Sequence, residues 1–275
     1  MVGRFSRIIE AFDSSSSSLS LNELTERCGL PKSTVHRVAD QLLEVRWLER
    51  APLGYRLGTR FLEAGGLVLG RTPLRDRAVP YLHDLQVKSG QTVHLGLLDE
   101  GSVLVVDKVW GHRAAPLPTY IGGRLPLHST ALGKSLLAFA GTSVRAAALA
   151  APLERRTART TVVPQLVEQQ LVTARTTHWS LDDEEQVAGV RCVAAPIRGA
   201  GRAIAAVSIS GPVHAVDISR TVPLVRRCAA DIWSQLFRSK ESAPPDVDGG
   251  DRVDDGPWDV EQWRRWLDGV AGEWL

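Results

Sequence analysis

Three clusters of residues hold the chemistry open to this chain. The first is Pro31-Lys32-Ser33-Thr34-Val35-His36-Arg37-Val38. On a helix, Val35 and Val38 fall on one face and leave Lys32, Ser33, Thr34, His36 and Arg37 on the other. A guanidinium can bond a guanine edge, and hydroxyls reach bases or phosphates. The second cluster is the loop Leu125-Pro126-Leu127-His128-Ser129-Thr130, which runs into an apolar helical stretch at Ala131. The amides and dipole of a helix start favour a carboxylate or phosphate. Ser208 and Ser210 share one strand face by the period of two. Paired hydroxyls beside a helix start hold a small anion without a metal. The third cluster is His128-Ser129, Cys192 and the run Asp182-Asp183-Glu184-Glu185, which supplies a nucleophile, a base and carboxylates.

This third set makes a weak catalytic site. No Gly-x-Ser-x-Gly elbow is present. Four consecutive carboxylates cannot all face one point, so most are expected to be solvated. Cys192 alternates with Val190 and Ala194, the pattern of a packed small hydrophobe. His112, His178 and His214 lack ligand spacing, and Cys28, Cys192 and Cys228 form neither a metal set nor a disulfide framework. We therefore expect no catalytic residue, no metal and no cofactor. An enzyme acting on a small molecule in the C-terminal half stands as the alternative.

The elements that must position these residues follow from periodicity. Residues 4–12 read as a short helix with Phe5, Ile8, Ile9 and Phe12 on one face, broken by the serine run 14–18. Residues 21–28 form a second helix, with Ser20 and Glu23 as a capping box and Gly29 at the exit. Pro31 starts a third over 33–45, with Val35, Val38, Leu42 and Val45 apolar. A strand over 47–50, a turn at Ala51-Pro52-Leu53-Gly54 and a strand over 55–57 then read as the wing of a winged helix-turn-helix. Arg50 and Arg56 on that wing are placed to approach phosphates or the neighbouring minor groove.

Beyond it come a linker helix within 58–71 and a helix over 74–89. Strands over 92–98 and 103–110 flank an Asp99-Glu100-Gly101 turn. A strand within 116–127, helices over 131–140 and 164–176, a hairpin over 190–197 and 203–209, and a long helix over 217–237 complete the pattern. Helices set beside hairpin-built strands define an α+β domain with antiparallel pairings.

The chain has 275 residues, 44% of them hydrophobic and 23% charged, which suits two globular domains. No run approaches a membrane span or a secretory signal, and a cytoplasmic protein without membrane partners is expected. The net charge of +2 hides two blocks. Residues 239–275 hold 4 Lys/Arg against 10 Asp/Glu, whereas residues 1–238 hold 29 against 21. A basic body fits an anionic partner. Residues 239–257 read as a disordered acidic linker, and 258–275, with four of the eight tryptophans, as an amphipathic helix. A structural adaptor working through this tail is a further reading.

The winged helix, Leu125-Pro126-Leu127-His128-Ser129-Thr130-Ala131-Leu132-Gly133-Lys134, the acidic run, Gly189-Val190-Arg191-Cys192-Val193-Ala194-Ala195-Pro196-Ile197 and Ser208-Ile209-Ser210-Gly211-Pro212 occur in one order. Over about residues 4–238 this resembles the IclR family of bacterial transcription regulators. The resemblance implies a winged helix-turn-helix over 1–58, a linker helix over 59–73 and a GAF-like effector-binding domain over 74–238. It implies a homodimer or tetramer on an operator of double-stranded DNA, with a small carboxylic or aromatic acid as effector. By motif, effector contacts fall on Ala131, Leu132, Asp182, Val190, Cys192, Ser208 and Ser210. Leu132 stands where a smaller residue can occur in the family, which narrows the pocket. His178-Trp179 replaces the family's usual Gly-Tyr, and the serine loop and the tail are departures from the pattern.

Overall fold

The computed structural model describes residues 2–13, 18–70, 72–111, 117–199 and 201–237. His112, most of the serine run and both tail segments lie outside the described residues, as does the start of the strand expected from 116. The chain divides into two compact units, with the break after Thr72. The helix expected as a separate linker over 59–73 groups with the first unit.

The first unit runs α1 (Val2–Glu10), α2 (Leu21–Cys28), α3 (Lys32–Glu44), β1 (Leu48–Ala51), β2 (Gly54–Leu57) and α4 (Arg60–Leu69). The start of α2 carries the complete capping box. Glu23 N–H donates to Ser20 Oγ at 3.3 Å, and Ser20 N–H donates to Glu23 Oε2 at 2.7 Å. Gly29 then turns the chain through a left-handed φ of 62°, a conformation that glycine adopts without strain. Ile8, Leu24, Val35, Ala39, Leu48 and Tyr55 pack into one buried core. β1 and β2 pair antiparallel from Leu48↔Leu57 to Ala51↔Gly54. Gly54 has no room for a side chain, because a Cβ there would lie 2.2 Å from the Leu19 carbonyl oxygen. Val45, expected on the apolar face of the third helix, is 45% exposed. The helix ends at Glu44, and the chain leaves through Arg46 at φ 62°, which turns Val45 out of the core.

The second unit begins with α5 (Pro73–Ser89) and continues β3 (Thr92–Asp99), β4 (Ser102–Val109), β5 (Arg124–Leu125), α6 (Ala131–Ala138), α7 (Thr142–Ala150), α8 (Pro164–Thr177), β6 (Ser180–Asp183), β7 (Val190–Ile197), β8 (Ala205–Pro212) and α9 (Ile218–Phe237). Its sheet has the order β5-β4-β3-β8-β7-β6, and every neighbour pair is antiparallel. Alternation along the strands separates two faces. Val93, Leu95, Val193, Ala195, Val207 and Ile209 pack against α5 and α9. Ala194 and Ala206 point the other way, to α6 and α8.

Three segments differ from the sequence expectation. Among the described residues of the 116–127 region, strand is confined to Arg124–Leu125. Pro118 has no N–H for a ladder, and the carbonyls of Leu117 and Thr119 bond to the Lys108 ammonium instead. The sequence reading does not include α7, whose alanine-rich sequence has no fully buried residue and only a partly buried face of Val144, Ala148 and Leu149 against the α6 cluster. β6 was hidden inside the acidic run that polarity alone assigns to solvent.

Candidate functional site

The first candidate surface is α3 with the β1–β2 wing. Val35, Val38, Ala39 and Leu42 are buried, while Lys32, Ser33, His36 and Arg37 are exposed and Thr34 is half-buried. Among the described residues, none is paired with Lys32 or Arg37. His36 Nδ1 lies 2.9 Å from Asp40 Oδ2, and Arg50 Nη2 lies 3.3 Å from Asp40 Oδ1. The Arg50 guanidinium also covers the Tyr55 ring at 4.7 Å. Arg56 donates to Glu49 Oε2 through Nε at 3.0 Å and Nη2 at 2.8 Å. The other oxygen of Glu49 accepts Thr59 N–H at 3.0 Å, and that bond is the first cause of its lowered carboxyl pKa. The wing arginines thus start from internal carboxylates, whereas the helix start is uncommitted.

The second candidate site is a cavity of about 60 Å³ on the α6 face of the sheet. Ala131, Leu132, Asp182, Val190, Cys192, Ser208 and Ser210 all line it. Strand register brings them together. Asp182 lies opposite Cys192, Cys192 opposite Ser210 and Ser210 opposite Thr92. The adjacent row runs Ser180, Ala194, Ser208 and His94. Residues as far apart in sequence as Thr92 and Ser210 therefore share a wall because four strands pair in this order.

Helix α6 closes the wall from above. Thr130 caps it, its Oγ1 accepting Gly133 N–H at 3.0 Å. The amides of Ala131 and Leu132 precede the first intrahelical bonds and are donors aimed past the helix start. Gly133 is required here, because a Cβ would come within 2.5 Å of Leu127 Cα. Ser180 Oγ donates to the Ala131 carbonyl at 2.6 Å, which ties β6 to the first turn of α6. Lys134 and Glu185 form a buried ion pair, and Lys134 Nζ also donates to the Leu181 carbonyl at 2.9 Å. The acidic run is therefore not mostly solvated. Asp182 and Glu185 are buried, Asp183 pairs with Arg191 and Arg159, and Glu184 accepts Gly189 N–H.

Electrostatics inside the cavity are set by burial. Asp182 Oδ1 accepts Glu185 N–H at 2.8 Å and Gln186 N–H at 3.2 Å. Burial nevertheless outweighs these bonds and raises its pKa to about 6. The Cys192 thiol is pushed well above its ordinary range, by burial first and by Asp182 second. It is a protonated hydrogen-bonding group, without the depressed pKa of an activated nucleophile. His128 and Ser129 do not form a dyad. His128 Nε2 meets the Glu154 carbonyl at 3.0 Å, and Ser129 Oγ donates to Gln186 Oε1 at 2.7 Å.

Several wall residues escaped sequence reasoning: His94, Leu117, Pro118, Thr119, Gln186 and Val187. His94 Nε2 sits 2.8 Å from Thr119 Oγ1, and burial holds the ring neutral with a pKa of about 3. Its place opposite Ser208 was the available signal, since a polar residue alternating with Val93 and Leu95 faces the same side as the serines. A larger open groove of about 560 Å³ lies between α8 and β6, lined by Arg159, Thr173, Trp179 and Asp183 among others. Asp183 and Glu185 of the acidic run line it, but none of the seven effector contacts named from the sequence does, and the smaller cavity, which gathers all seven, is the better candidate on chemistry.

A winged helix with an exposed basic face, in one chain with an α+β unit whose cavity sets a few polar groups in a largely apolar wall, defines a DNA-binding regulator with a ligand-binding domain. Residues 2–52 match the IclR helix-turn-helix domain, and residues 66–234 match the bacterial transcriptional regulator IclR C-terminal domain. The chain belongs to the IclR family. It is 34% identical to the HTH-type transcriptional regulator XynR of Escherichia coli over 220 residues, 78% of this chain and 87% of that protein. It is 30% identical to the transcriptional repressor IclR of Escherichia coli, over 78% of this chain and 80% of that one. An IclR homolog from Microbacterium hydrocarbonoxydans, solved in complex with 4-hydroxybenzoate, superposes with a TM-score of 0.76 at 31% identity, covering 86% of this chain and 99% of that chain.

Proposed function

We propose that the protein is a ligand-responsive transcriptional regulator that binds a palindromic operator as a homodimer or dimer-based tetramer, with a small organic acid or aromatic metabolite as effector. Lys32, Ser33, Thr34, His36 and Arg37 enter the major groove, and Arg50 and Arg56 exchange their internal carboxylates for phosphates. The effector sits against Ala131, Leu132, Asp182, Val190, Cys192, Ser208 and Ser210. The observation that carries this reading is the meeting of those seven residues, from α6 and three strands, around one cavity.

Helix α4 supports a second copy. It buries no residue, and Leu62, Leu67 and Val68 are 78%, 70% and 66% exposed. An apolar helix without a core of its own is an association surface. The cavity volume bears on effector size. At about 60 Å³ it is well below the about 150 Å³ that admits a benzene ring, so a ligand of few heavy atoms fits as the wall stands. A ring requires Leu132 or the 117–119 loop to move. Effector binding then shifts the balance between two arrangements of the dimer and changes half-site spacing.

The test is a gel shift with the DNA upstream of the protein's own gene, followed by a thermal-shift screen of small carboxylates and aromatic acids. A specific, salt-sensitive shift that a stabilising acid alters is the expected result. Absence of any specific shift in low and moderate salt rules the operator reading out.

A further inference from the structure

The charge on the cavity wall is unusual for a site that receives an acid. Among the described residues that line it, Asp182 is the one group carrying charge near neutral pH. His94 is neutral there, with its low pKa, and the Cys192 thiol keeps its proton. The remaining polar groups are hydroxyls and the Gln186 amide. The ammonium nearest Asp182 belongs to Lys134 on α6, and it is committed to Glu185 and the Leu181 carbonyl. Lys108 on β4 stands behind His94, with Nζ on the Thr119 carbonyl at 2.6 Å and over the Trp110 ring at 3.5 Å.

An incoming carboxylate therefore meets the α6 amides together with a buried carboxylate. The amides supply a fraction of a charge. Asp182 is 2% exposed, so water does not screen it. Two carboxylates in one desolvated site do not both stay ionised. Asp182 Oδ1 accepts two backbone amides and the Cys192 thiol bonds to the same carboxyl, so the ligand meets Oδ2 beside that thiol.

Building on the organic-acid reading above, we propose that effector binding is proton-linked: the acid's carboxylate and the Asp182 carboxylate share one proton taken up from solvent. One O–H···O⁻ bond forms, and the pair carries a single negative charge facing the start of α6. Such bonds are short and stronger than neutral ones. The neighbours favour this state. Cys192 from β7 and Ser210 from β8 are neutral, Gln186 and the amide of Glu185 come from the loop after β6, and Lys134 is matched by Glu185. Burial has already brought Asp182 to about 6, so a proton is within reach near neutral pH.

The sign follows from linkage. Asp182 binds a proton more tightly in the complex than in the free protein, so affinity is full below about pH 6 and falls as pH rises, by about tenfold per unit. The experiment is isothermal titration calorimetry on the full chain with acetate, pyruvate, 4-hydroxybenzoate and, as a neutral hydroxyl donor, glycerol. Each is titrated at pH 7 in phosphate and in Tris, whose protonation enthalpies differ widely, and again across about pH 6 to 8. The expected result is uptake of close to one proton per site by whichever acid binds. Asp182→Asn should bind that acid with no uptake, with a flat pH profile, and more tightly than the parent at about pH 7.5.

An acid that binds the parent without proton uptake overturns the proposal and leaves the organic-acid reading standing. Binding of glycerol alone overturns both, since Asp182 then accepts a hydroxyl while ionised. No binding by any acid to either protein likewise overturns both. The parent's buffer comparison decides the matter even if Asp182→Asn fails to fold.

Discussion

The α3 surface and the α6 cavity are both polar sites, yet they are built in opposite ways. The α3 surface is a contiguous run of sequence, exposed, and held by a core that lies wholly beneath it. Its charged side chains take no part in stability beyond exposed pairs such as Arg56–Glu49. The cavity is assembled from four strands and a helix, and its polar groups are buried among each other. Behind the wall, Lys134 and Glu185 tie α6 to β6 and so hold the fold and the site at once. Substitutions should therefore separate the two regions: at α3 they change binding and leave stability alone, and at the cavity they change both.

The largest expected effect is at Lys134. Its side chain is 2% exposed, and Lys134→Ala leaves Glu185 charged and unpaired in the interior. Breaking one side of a buried pair costs about 3–5 kcal/mol. Urea unfolding of the variant measures this, and a loss below about 1 kcal/mol would break the contrast between the regions. Lys134→Met with Glu185→Leu should recover much of the loss.

Asp182 comes next. Its folded pKa of about 6 lies above the unfolded value near 4, so the native state binds the extra proton between them. The sign is that stability is highest below about pH 4 and declines as pH rises toward 6, by roughly 1–3 kcal/mol for this group. Asp182→Asn, whose side-chain oxygen still accepts the two amides, should flatten that decline in unfolding experiments between about pH 4 and 6.5. An unchanged slope would show that the carboxyl is not desolvated.

Arg37 sharpens the contrast from the other side. It is exposed and without a carboxylate partner among the described residues. Arg37→Ala should weaken specific operator binding by about 1–3 kcal/mol, or roughly 5- to 150-fold, if it reads a base. Its unfolding free energy should stay within about 0.5 kcal/mol of the parent. A stability loss as large as the binding loss would mean that α3 is not the independent surface described.

The same contrast explains what was legible in the sequence. Elements with local signals were plain: Ser20, Glu23 and Gly29 bound α2 because capping is decided within a few residues. Glu100 and Gly101, both at positive φ, form the tight β3–β4 turn for the same reason. The seven cavity residues were named through family motifs. Periodicity alone paired Ser208 with Ser210, and Val190 with Cys192 and Ala194. Alternation with Val93 and Leu95 gives the face of His94, but its place beside Ser208, like those of Thr119 and Gln186, depends on strand order and on a loop returning over the sheet, which no local pattern encodes. The acidic run misled for a related reason. Four carboxylates look solvated until β6 joins the sheet edge and turns Asp182 inward, after which Lys134 comes to Glu185. α7 shows the limit of periodicity itself, since alanines on its outer side blur the contrast with the partly buried Val144, Ala148 and Leu149.

The smallest effect is expected at Arg56, where the two regions are easiest to confuse. Arg56 makes two bonds to one carboxylate oxygen, which looks like a structural role. However, its side chain is 56% exposed, and exposed pairs contribute about 0–1 kcal/mol after solvent screening and side-chain entropy. Glu49 keeps its bond to Thr59 N–H when Arg56 is removed, so the link from the wing to the start of α4 survives. Arg56→Ala should therefore unfold within about 0.5 kcal/mol of the parent. If the guanidinium leaves Glu49 for a phosphate, affinity should fall uniformly across DNA sequences, and the slope of log K against log salt should lessen by about one. Glu49→Gln separates the pair from the phosphate contact, because it frees Arg56 and removes a repelling carboxylate. That variant should bind DNA more tightly and with the parent's salt slope or a steeper one. Equal affinity and slope in all three proteins would place the wing arginine outside the interface.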